Sequence, residues 1–312
     1  MKVLMTGATG FIGRHVVRNL RARGAHIIAI RRTHTNVSKR TDDADADQVD
    51  WRNCGLNETE RLRDLVFETK PTVCLHMAWF TEPGLYSEAN QNLELVDSTL
   101  ALIRIVGEAG CHRFVGVGSC AEYESLSVPL SEESSVKPLT LYGASKLACR
   151  YLGEAIARSY GMEFVWGRIF YVYGPGENGR RVVPAVVNTL LDGGSFAATT
   201  GEQVRDFLHV EDVASAFGHL CVTNAEGVFN VSSGQPMAMR ELLETIAQEI
   251  GHPHAIRYGA TAKHGFDPPY VVGDSTRLLQ LGWRPRHTLQ TGLQQTIRWW
   301  HEQRLAPGAS QR

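Results

Sequence analysis

The sequence lacks the features that mark several classes of protein. Its 32 Lys and Arg residues nearly balance its 33 Asp and Glu residues, so the formal net charge is −1. A protein that binds nucleic acid or an anionic membrane surface usually carries a basic excess, and we predict neither partner. No stretch approaches the ~18 apolar residues of a membrane span, and the first apolar run is too short for a signal peptide. We therefore expect a soluble, cytoplasmic protein.

Cysteine and clustered histidine are also scarce. The six cysteines show no C-x-x-C spacing and mostly lie inside apolar runs, so we interpret them as reduced packing residues. The twelve histidines include one close pair, His252 and His254, which flank a proline in a predicted loop. We expect no metal site.

What the sequence does contain is an alternation of strands and helices. Short apolar segments at 2–5, 26–30, 72–76, 113–117 and 163–169 alternate with helical patterns, the longest at 90–109 and 141–160. This alternation predicts an α/β fold, a Rossmann-like doubly wound parallel sheet with ligands beyond the carboxyl ends of its strands. We predict a dinucleotide-binding domain at 1–172, with a returning segment near 205–232, and a small substrate-binding cap formed mainly by 173–312.

A glycine-rich turn follows the first strand. The sequence TGATGFIG at 6–13 leads into an amphipathic helix. Strand, glycine turn and helix form the context of a dinucleotide site, where a tight turn brings backbone close to a pyrophosphate at the helix N-terminus. Glycine turns also serve simple packing, but this context favours cofactor binding.

The second strand ends in Arg31 and Arg32. An acidic residue here would bind the ribose hydroxyls of NAD, whereas arginine suits the 2′-phosphate of NADP. Alternatively, the two arginines begin a solvated loop, because 33–47 is polar and mixed in charge. We predict NADP(H) in preference to NAD(H).

Tyr142 and Lys146 lie four residues apart at the head of the predicted helix 141–160. Side chains at this spacing share one helix face, with Cβ atoms about 5–6 Å apart. A neighbouring ammonium lowers the pKa of a phenol from about 10, which would make Tyr142 a useful proton donor. Such a pair also occurs on ordinary surface helices. Ser119 follows a predicted strand, however, and is placed to meet Tyr142 at the sheet edge.

Several motifs together resemble the extended short-chain dehydrogenase/reductase family, in its nucleotide-sugar epimerase, dehydratase and reductase branch. The glycines of 6–13, Ser119 and the Y-x-x-x-K of 142–146 match in order, and the similarity runs to about residue 303. Residues 168–176 resemble the family's R-x-F-N-x-Y-G-P-G, and 205–213 resemble the R-D-F-x-H-V-x-D block near the substrate pyrophosphate.

The resemblance and the patterns above together assign the site residues. The catalytic residues are Ser119, Tyr142 and Lys146. The expected cofactor contacts are Gly7, Thr9, Gly10, Phe11, Ile12, Gly13, Arg31, Arg32, Asp50, Trp51, Ala78 and Asn92, together with Tyr142 and Lys146. The expected substrate contacts are Trp79, Cys120, Glu122, Tyr171 and Arg205. The resemblance also implies a homodimer formed through helices 90–109 and 141–160.

Departures from the family pattern reduce the number of reactions that the chain is expected to catalyse. A 4,6-dehydratase of this family has Asp-Glu directly after its catalytic Thr, where this chain has Cys120 and Ala121. The epimerase–reductases that make GDP-fucose have a Cys two places after the Ser and a His after Gly-Pro, where this chain has Ala121 and Gly176. Tyr171 replaces the Asn of the family motif, close to where the family binds the substrate diphosphate.

The remaining choice lies between a reductase and an epimerase. NAD-retaining epimerases of the family usually have an acidic residue where Arg31 stands, and its reductases often use NADPH. We therefore expect hydride transfer from NADPH to a nucleotide-linked keto-sugar of the 4-keto-6-deoxyhexose class, with Tyr142 as general acid. The alternatives are an NAD-retaining nucleotide-sugar 4-epimerase and, more remotely, a non-catalytic NADP-binding regulator.

Overall fold

A parallel sheet of seven strands forms the centre of the protein. The structure is a computed structural model that describes residues 1–32, 48–262 and 267–305, so the polar loop at 33–47 discussed above lies outside the described residues. The strands run in the spatial order β11-β6-β5-β4-β1-β2-β3, and every neighbouring pair is parallel. Their bounds are β1 Lys2–Thr6, β2 His26–Arg31, β3 Asp50–Asn53, β4 Val73–His76, β5 Arg113–Ser119, β6 Glu163–Ile169 and β11 Gly227–Val231.

Helices cover both faces of this sheet, as the alternating pattern predicts. One face is covered by α1 and α6, and the other by α2, α3 and α4. The described helices are α1 Phe11–Ala22, α2 Thr59–Thr69, α3 Gln91–Glu108, α4 Leu141–Ser159, α5 Val182–Leu191, α6 Val210–Leu220, α7 Met239–Ile250, α8 Thr276–Gln280 and α9 Leu289–Leu305. None of these helices is long and apolar enough to cross a membrane.

Burial on both faces explains why the central strands are continuously apolar. All four residues of β4 are buried, and so are Val16, Val17 and Leu20 on the inner side of α1. A strand that is covered on both sides has an unbroken run of apolar residues. A helix that is covered on one side has apolar residues only at the positions that face the sheet. The Rossmann-like doubly wound sheet expected from the sequence is confirmed.

A smaller unit follows β6 and forms a separate apolar core. Helices α5, α7 and α9 pack together around buried residues that include Val186, Leu242 and Leu293. Its short strands are β7 Tyr171–Tyr173, β8 Phe196–Ala197, β9 Val204–Arg205, β10 Phe207–His209, β12 Met237–Ala238, β13 Ile256–Arg257 and β14 Tyr270–Val271. The chain returns to the central sheet through α6 and β11 before it completes this unit. The domain boundaries given above stay predictions.

Candidate active site

The glycine turn between β1 and α1 forms a cradle for a large anion. Gly7 has a φ of +74°, and a Cβ placed on it would lie 2.7 Å from the backbone nitrogen of Ala78. A Cβ on Gly13 would overlap the Gly7 carbonyl oxygen, so both glycines are needed for close packing. Gly10 is exposed, and α1 has no side-chain cap at its N-terminus. The bare helix N-terminus fits the diphosphate of a dinucleotide.

The remaining residues of the turn and its neighbour strand lie beside this cradle. Thr9, Phe11 and Ile12 are partly exposed around the N-terminus of α1. Ala78 follows β4, and its backbone nitrogen donates to Thr6 Oγ1 at 3.1 Å. These contacts fix the loop after β4 against the end of β1. The structure therefore brings the predicted cofactor residues of both loops to one edge of the sheet.

Arg31 lies at the carboxyl end of β2, on the same edge. Its Nε donates to Asn53 Oδ1 at 2.8 Å, and its guanidinium carbon is 5.8 Å from the centroid of a Trp51 ring. Arg32 is exposed. Asp50 was expected to contact the cofactor. Instead, Arg52 binds both of its carboxylate oxygens, at 2.8 and 3.1 Å. Asn53 and Arg52 belong to no recognisable sequence motif, so their contacts with Arg31 and Asp50 could not be predicted.

The turn after β5 brings Ser119 to Tyr142. Ser119 begins a 3₁₀ turn, Cys120–Glu122, and its hydroxyl accepts from the Ala121 backbone nitrogen at 3.2 Å. Gly143 packs against the Ala121 carbonyl, where a Cβ would clash, so the first turn of α4 seats on this 3₁₀ turn. Thr140 caps α4 by accepting from the Gly143 nitrogen at 3.1 Å.

The protonation of Tyr142 differs from the sequence-based expectation. Burial raises the pKa of Tyr142 above its ordinary value, and interaction with the Ser119 side chain only partly counteracts the increase. The expected lowering by Lys146 is wrong for this structure, because the loss of water around the phenol outweighs any neighbouring charge. Tyr142 therefore holds its proton at neutral pH and can act as an acid.

Lys146 is 3% exposed, and its ammonium contacts a backbone carbonyl and an indole ring. Its Nζ donates to the Val117 carbonyl oxygen at 2.8 Å and lies 3.6 Å from the centroid of a Trp79 ring. The distance from Nζ to the centroid of the Tyr142 ring is 5.9 Å. Burial lowers the pKa of Lys146 to about 7. The three catalytic residues predicted from the sequence thus lie together, although Lys146 has an unexpected aromatic neighbour.

Asn92 supports this aromatic neighbour and is not open to a ligand. Its side chain is fully buried, and Asn92 Oδ1 accepts from Trp79 Nε1 at 2.8 Å. Its Nδ2 donates to the carbonyl oxygens of Tyr86 and Ala89 at 2.7 and 2.9 Å. Every hydrogen-bonding atom of the amide is engaged within the protein, so the expected cofactor contact through this side chain is corrected to a supporting role.

Glu122 also has a role different from the predicted one. Its side chain is fully buried, and Oε1 accepts from the Ser119 backbone nitrogen at 2.8 Å and from Trp166 Nε1 at 2.9 Å. Its Oε2 forms an ion pair with Arg168 Nε at 2.8 Å. A carboxylate engaged in this way cannot contact the substrate, and we infer that it positions Ser119 instead.

Of the other predicted substrate residues, Cys120 directly follows Ser119, whereas Tyr171 and Arg205 lie on short strands of the smaller unit. Cys120 is partly exposed, and burial of its sulfur raises the pKa of the thiol to about 12. The guanidinium carbon of Arg205 lies 5.3 Å from the centroid of the Tyr171 ring. Arg205 is 3% exposed and forms an ion pair with Asp267, a partner that the motif gave no means to predict.

Comparison with known proteins decides the family. The family model "NAD dependent epimerase/dehydratase family" matches residues 3–232. The chain belongs to this family. It is an NAD(P)-dependent enzyme of the extended short-chain dehydrogenase/reductases, in the nucleotide-sugar branch, as the sequence motifs indicate.

Individual relatives of this epimerase/dehydratase chain catalyse different reactions. UDP-glucose 4-epimerase of Halalkalibacterium halodurans is 26% identical, over 97% of this chain and 96% of the relative. The dTDP-4-dehydro-6-deoxy-D-allose reductase of Streptomyces bikiniensis is 27% identical, over 95% of each. The solved UDP-glucose 4-epimerase of Thermotoga maritima with UDP-glucose superposes with a TM-score of 0.87 at 23% identity, over 97% of this chain and 99% of that one. The likeness to the solved structure shows the fold alone.

Glu177 is a site candidate that sequence reasoning missed in this family member. It is 9% exposed, and its Oε2 is buried without a hydrogen-bond partner among the described residues. Burial raises the pKa of Glu177 to about 8, and the charge of Arg181 opposes the increase. Arg181 lies 5.2 Å from the Tyr86 ring, which contacts Tyr142 edge-on with centroids 4.9 Å apart. The sequence signal that could have identified Glu177 is its position directly after the Gly-Pro-Gly of 174–176.

One cluster of described residues has the chemistry of metal ligands. Ligand atoms of His209, Glu211 and His287 lie within 4.8 Å of one another. The two imidazole rings, however, pack against each other, with centroids 4.1 Å apart and planes inclined by 36°. His287 also bonds Asp212 at 3.1 Å, which favours a structural role.

Proposed function

We propose that the protein catalyses NADPH-dependent reduction of a nucleotide-linked keto-sugar, with an NDP-4-keto-6-deoxyhexose as the expected substrate class. The observation that carries this proposal is the chemistry of the turn Cys120–Glu122. Cys120 keeps its proton because burial raises the pKa of the thiol to about 12, Ala121 is inert, and Glu122 is buried in an ion pair. Elimination of water needs an additional acid and base, whereas reduction of a ketone needs one proton donor.

The glycine cradle, the bare N-terminus of α1, Ala78 and Arg31 would hold the cofactor. When bound, a nicotinamide dinucleotide supplies the hydride. Arg31 supports the choice of NADP, because a guanidinium at the end of β2 can bind a 2′-phosphate while its neighbour Trp51 offers an apolar face. No acidic residue occupies position 31 or 32, where an NAD-specific relative would bind the ribose hydroxyls.

Three side chains of this chain would handle the substrate carbonyl. Ser119 and Tyr142 donate hydrogen bonds to the carbonyl oxygen, and Tyr142 transfers its proton as negative charge develops there. The raised pKa of Tyr142 keeps the proton in place until the alkoxide, which is a stronger base, forms. The Lys146 ammonium adds positive charge behind the tyrosine. General acid catalysis of this kind contributes about 10²–10⁴-fold to the rate.

Arg205 and Tyr171 are proposed contacts of the substrate diphosphate. The guanidinium of Arg205 is buried beside Tyr171 and paired with Asp267. A diphosphate would displace the Asp267 carboxylate from Arg205 or bind the guanidinium beside it. The reductase relative from Streptomyces bikiniensis supports the reaction type, and the epimerase relative supports the competing 4-epimerase reaction.

A panel of UDP-, GDP-, dTDP- and CDP-linked 4-keto-6-deoxyhexoses, each incubated with NADPH or NADH, tests the proposal. We expect loss of absorbance at 340 nm with NADPH and at least one of these sugars, and a new hydroxyl at the reduced carbon by NMR. Interconversion of nucleotide hexoses without added reductant, together with NAD that co-purifies with the protein, would establish the epimerase instead. Cofactor binding without turnover on either panel would point to a regulator.

A further inference from the structure

Lys146 is a buried ammonium whose described contacts include no carboxylate. No Asp or Glu among the described residues forms an ion pair with it; its Nζ contacts the Val117 carbonyl oxygen and the face of Trp79. A charge removed from water normally needs such a partner. At 3.6 Å from the ring centroid, the indole is well within the ~6 Å range of a cation–π interaction, and tryptophan gives the strongest interaction of this type.

The Trp79 ring is fixed in this position from two sides. Its Nε1 donates to Asn92, which is itself anchored to the backbone at Tyr86 and Ala89. Its ring also meets the Tyr142 ring edge-on, with centroids 6.4 Å apart. One anchored indole therefore contacts both members of the Tyr142–Lys146 pair. A ring held in this way can impose a position on a flexible four-carbon side chain.

We propose that Trp79 is a positioning residue that holds Lys146 in its charged form behind Tyr142. The catalytic consequence rests on the proposed function, but the interaction itself does not. In an enclosed site where burial disfavours the ammonium, the negative face of the indole restores part of the lost stabilisation. Trp79 would thus act through Lys146 and need not touch the reacting atoms.

Other groups near Lys146 also affect the stability of its ammonium. Cys149 on the same helix and Glu122 on the neighbouring turn both favour the ammonium. Tyr142 presents its ring, and His76 faces Lys146 from β4. Burial lowers the pKa of His76 to about 3, so His76 stays neutral over the working range. Of these four groups, Tyr142 is the one that contacts Trp79, through the edge-on ring contact. The side chains of Cys149, Glu122 and His76 stay in place when Trp79 is replaced.

The direction of the effect follows from which form the indole stabilises. The aromatic face favours the ammonium, so its loss lowers the Lys146 pKa below that of the native protein. An interaction of ordinary cation–π strength corresponds to a decrease of about 0.5 to 1.5. In the assay of the proposed reaction, the loss of kcat/KM at alkaline pH would move to lower pH by the same amount.

Selective [ε-¹³C]lysine labelling measures this directly. The chain has six lysines, so the Cε resonance of Lys146 can be assigned by its disappearance in Lys146→Arg and titrated by NMR. Trp79→Leu and Trp79→Phe both lose the hydrogen bond to Asn92, but only the phenylalanine keeps an aromatic face. We expect the leucine variant to titrate about 0.5 to 1.5 lower than the native protein and the phenylalanine variant to lie between them. Equal Lys146 titration in all three proteins would overturn the proposal.

Fluorinated tryptophan provides a test that preserves the packing. Global replacement of the six tryptophans by 5-fluoro- and then 5,7-difluorotryptophan weakens the negative ring face with almost no change in shape. The Lys146 pKa should fall stepwise with each fluorine, and an unchanged titration contradicts the proposal even if Trp79→Leu does not fold. Because the NMR signal requires no turnover, a shifted Lys146 without keto-sugar reduction would refute the proposed function alone.

Discussion

Glu122 and Arg168 form a buried ion pair directly beneath the turn that holds Ser119. The pair joins Glu122 Oε2 to Arg168 Nε at 2.8 Å, and the other carboxylate oxygen accepts from the Ser119 backbone nitrogen. The side chains of Glu122 and Arg168 are 0% and 3% exposed. The backbone of a residue predicted to be catalytic is thus hydrogen-bonded to a fully buried carboxylate, and removal of that charge should affect both stability and catalysis.

Glu122→Gln should destabilise the protein by about 3 kcal/mol, because Arg168 would be left as an uncompensated buried charge. Urea unfolding measures the loss. Turnover should also fall, since Ser119 loses part of its backbone anchor. The matched control is Glu68→Gln, which removes an exposed pair with Arg52 and should cost less than about 1 kcal/mol. Equal losses in the two variants would show that the buried pair has no special role.

Tyr142→Phe should lower kcat by about 10²–10⁴-fold, because the proton donor is removed while the ring and its contacts remain. The affinity for NADPH, measured by fluorescence titration, should change little. Tyr151→Phe is the control, since Tyr151 lies on the same helix and is 50% exposed. Full activity in Tyr142→Phe would refute the assignment of the general acid.

Arg31→Asp should reverse the cofactor preference. The carboxylate would repel a 2′-phosphate and accept hydrogen bonds from the ribose hydroxyls of NAD. We expect KM for NADPH to rise at least tenfold and KM for NADH to fall. Arg61→Asp, which makes the same charge change on α2, controls for net charge. An unaltered ratio of kcat/KM for the two cofactors would remove the basis for assigning NADP.

Glu177→Gln should change how stability depends on pH. Burial raises the pKa of Glu177 from 4.5 to about 8, so the folded protein holds this proton more tightly than the unfolded chain does. Native stability must therefore fall as the pH rises from about 4.5 to 8. The glutamine variant cannot ionise, so it should match the native protein near pH 5 and exceed it by roughly 2–4 kcal/mol near pH 8.

Thermal unfolding at the two pH values measures this difference. Glu241→Gln, at an exposed position in α7, should leave the pH dependence of unfolding unchanged. If the native protein and the Glu177→Gln variant show the same change in stability between the two pH values, Glu177 is not shielded from water.

Leu152→Lys should prevent self-association. Leu93 on α3 and Leu152 on α4 are 52% and 51% exposed, and the two helices are neighbours on one face of the sheet. We propose that a second copy of the chain covers these side chains, because the resemblance implies a homodimer through these helices. Light scattering coupled to size exclusion should show a dimer for the native protein and a monomer for the variant. Val222→Lys, at another exposed apolar position, should leave the dimer intact.

Patterns local in sequence were sufficient to predict the sheet and the proximity of Ser119, Tyr142 and Lys146. Tyr142 and Lys146 share a helix, and the strand that leads to Ser119 is apolar at 114–118. The same patterns could not reveal that Glu122 is buried against Arg168, or that Arg205 pairs with Asp267, because those partners are 46 and 62 residues apart. The direction of the Tyr142 pKa was also mispredicted, since helical spacing gives the distance to a charge but not the loss of water.

The position of β11 has a consequence for how the chain folds during synthesis. This strand, Gly227–Val231, pairs with β6 at the edge of the central sheet, yet it is made after much of the smaller unit. Until it emerges from the ribosome, the outer edge of β6 has unpaired backbone groups, which are a template for aggregation. A chain released early, anywhere between β6 and β11, would keep that edge open, and such products should be insoluble even though the first six strands of the sheet are complete.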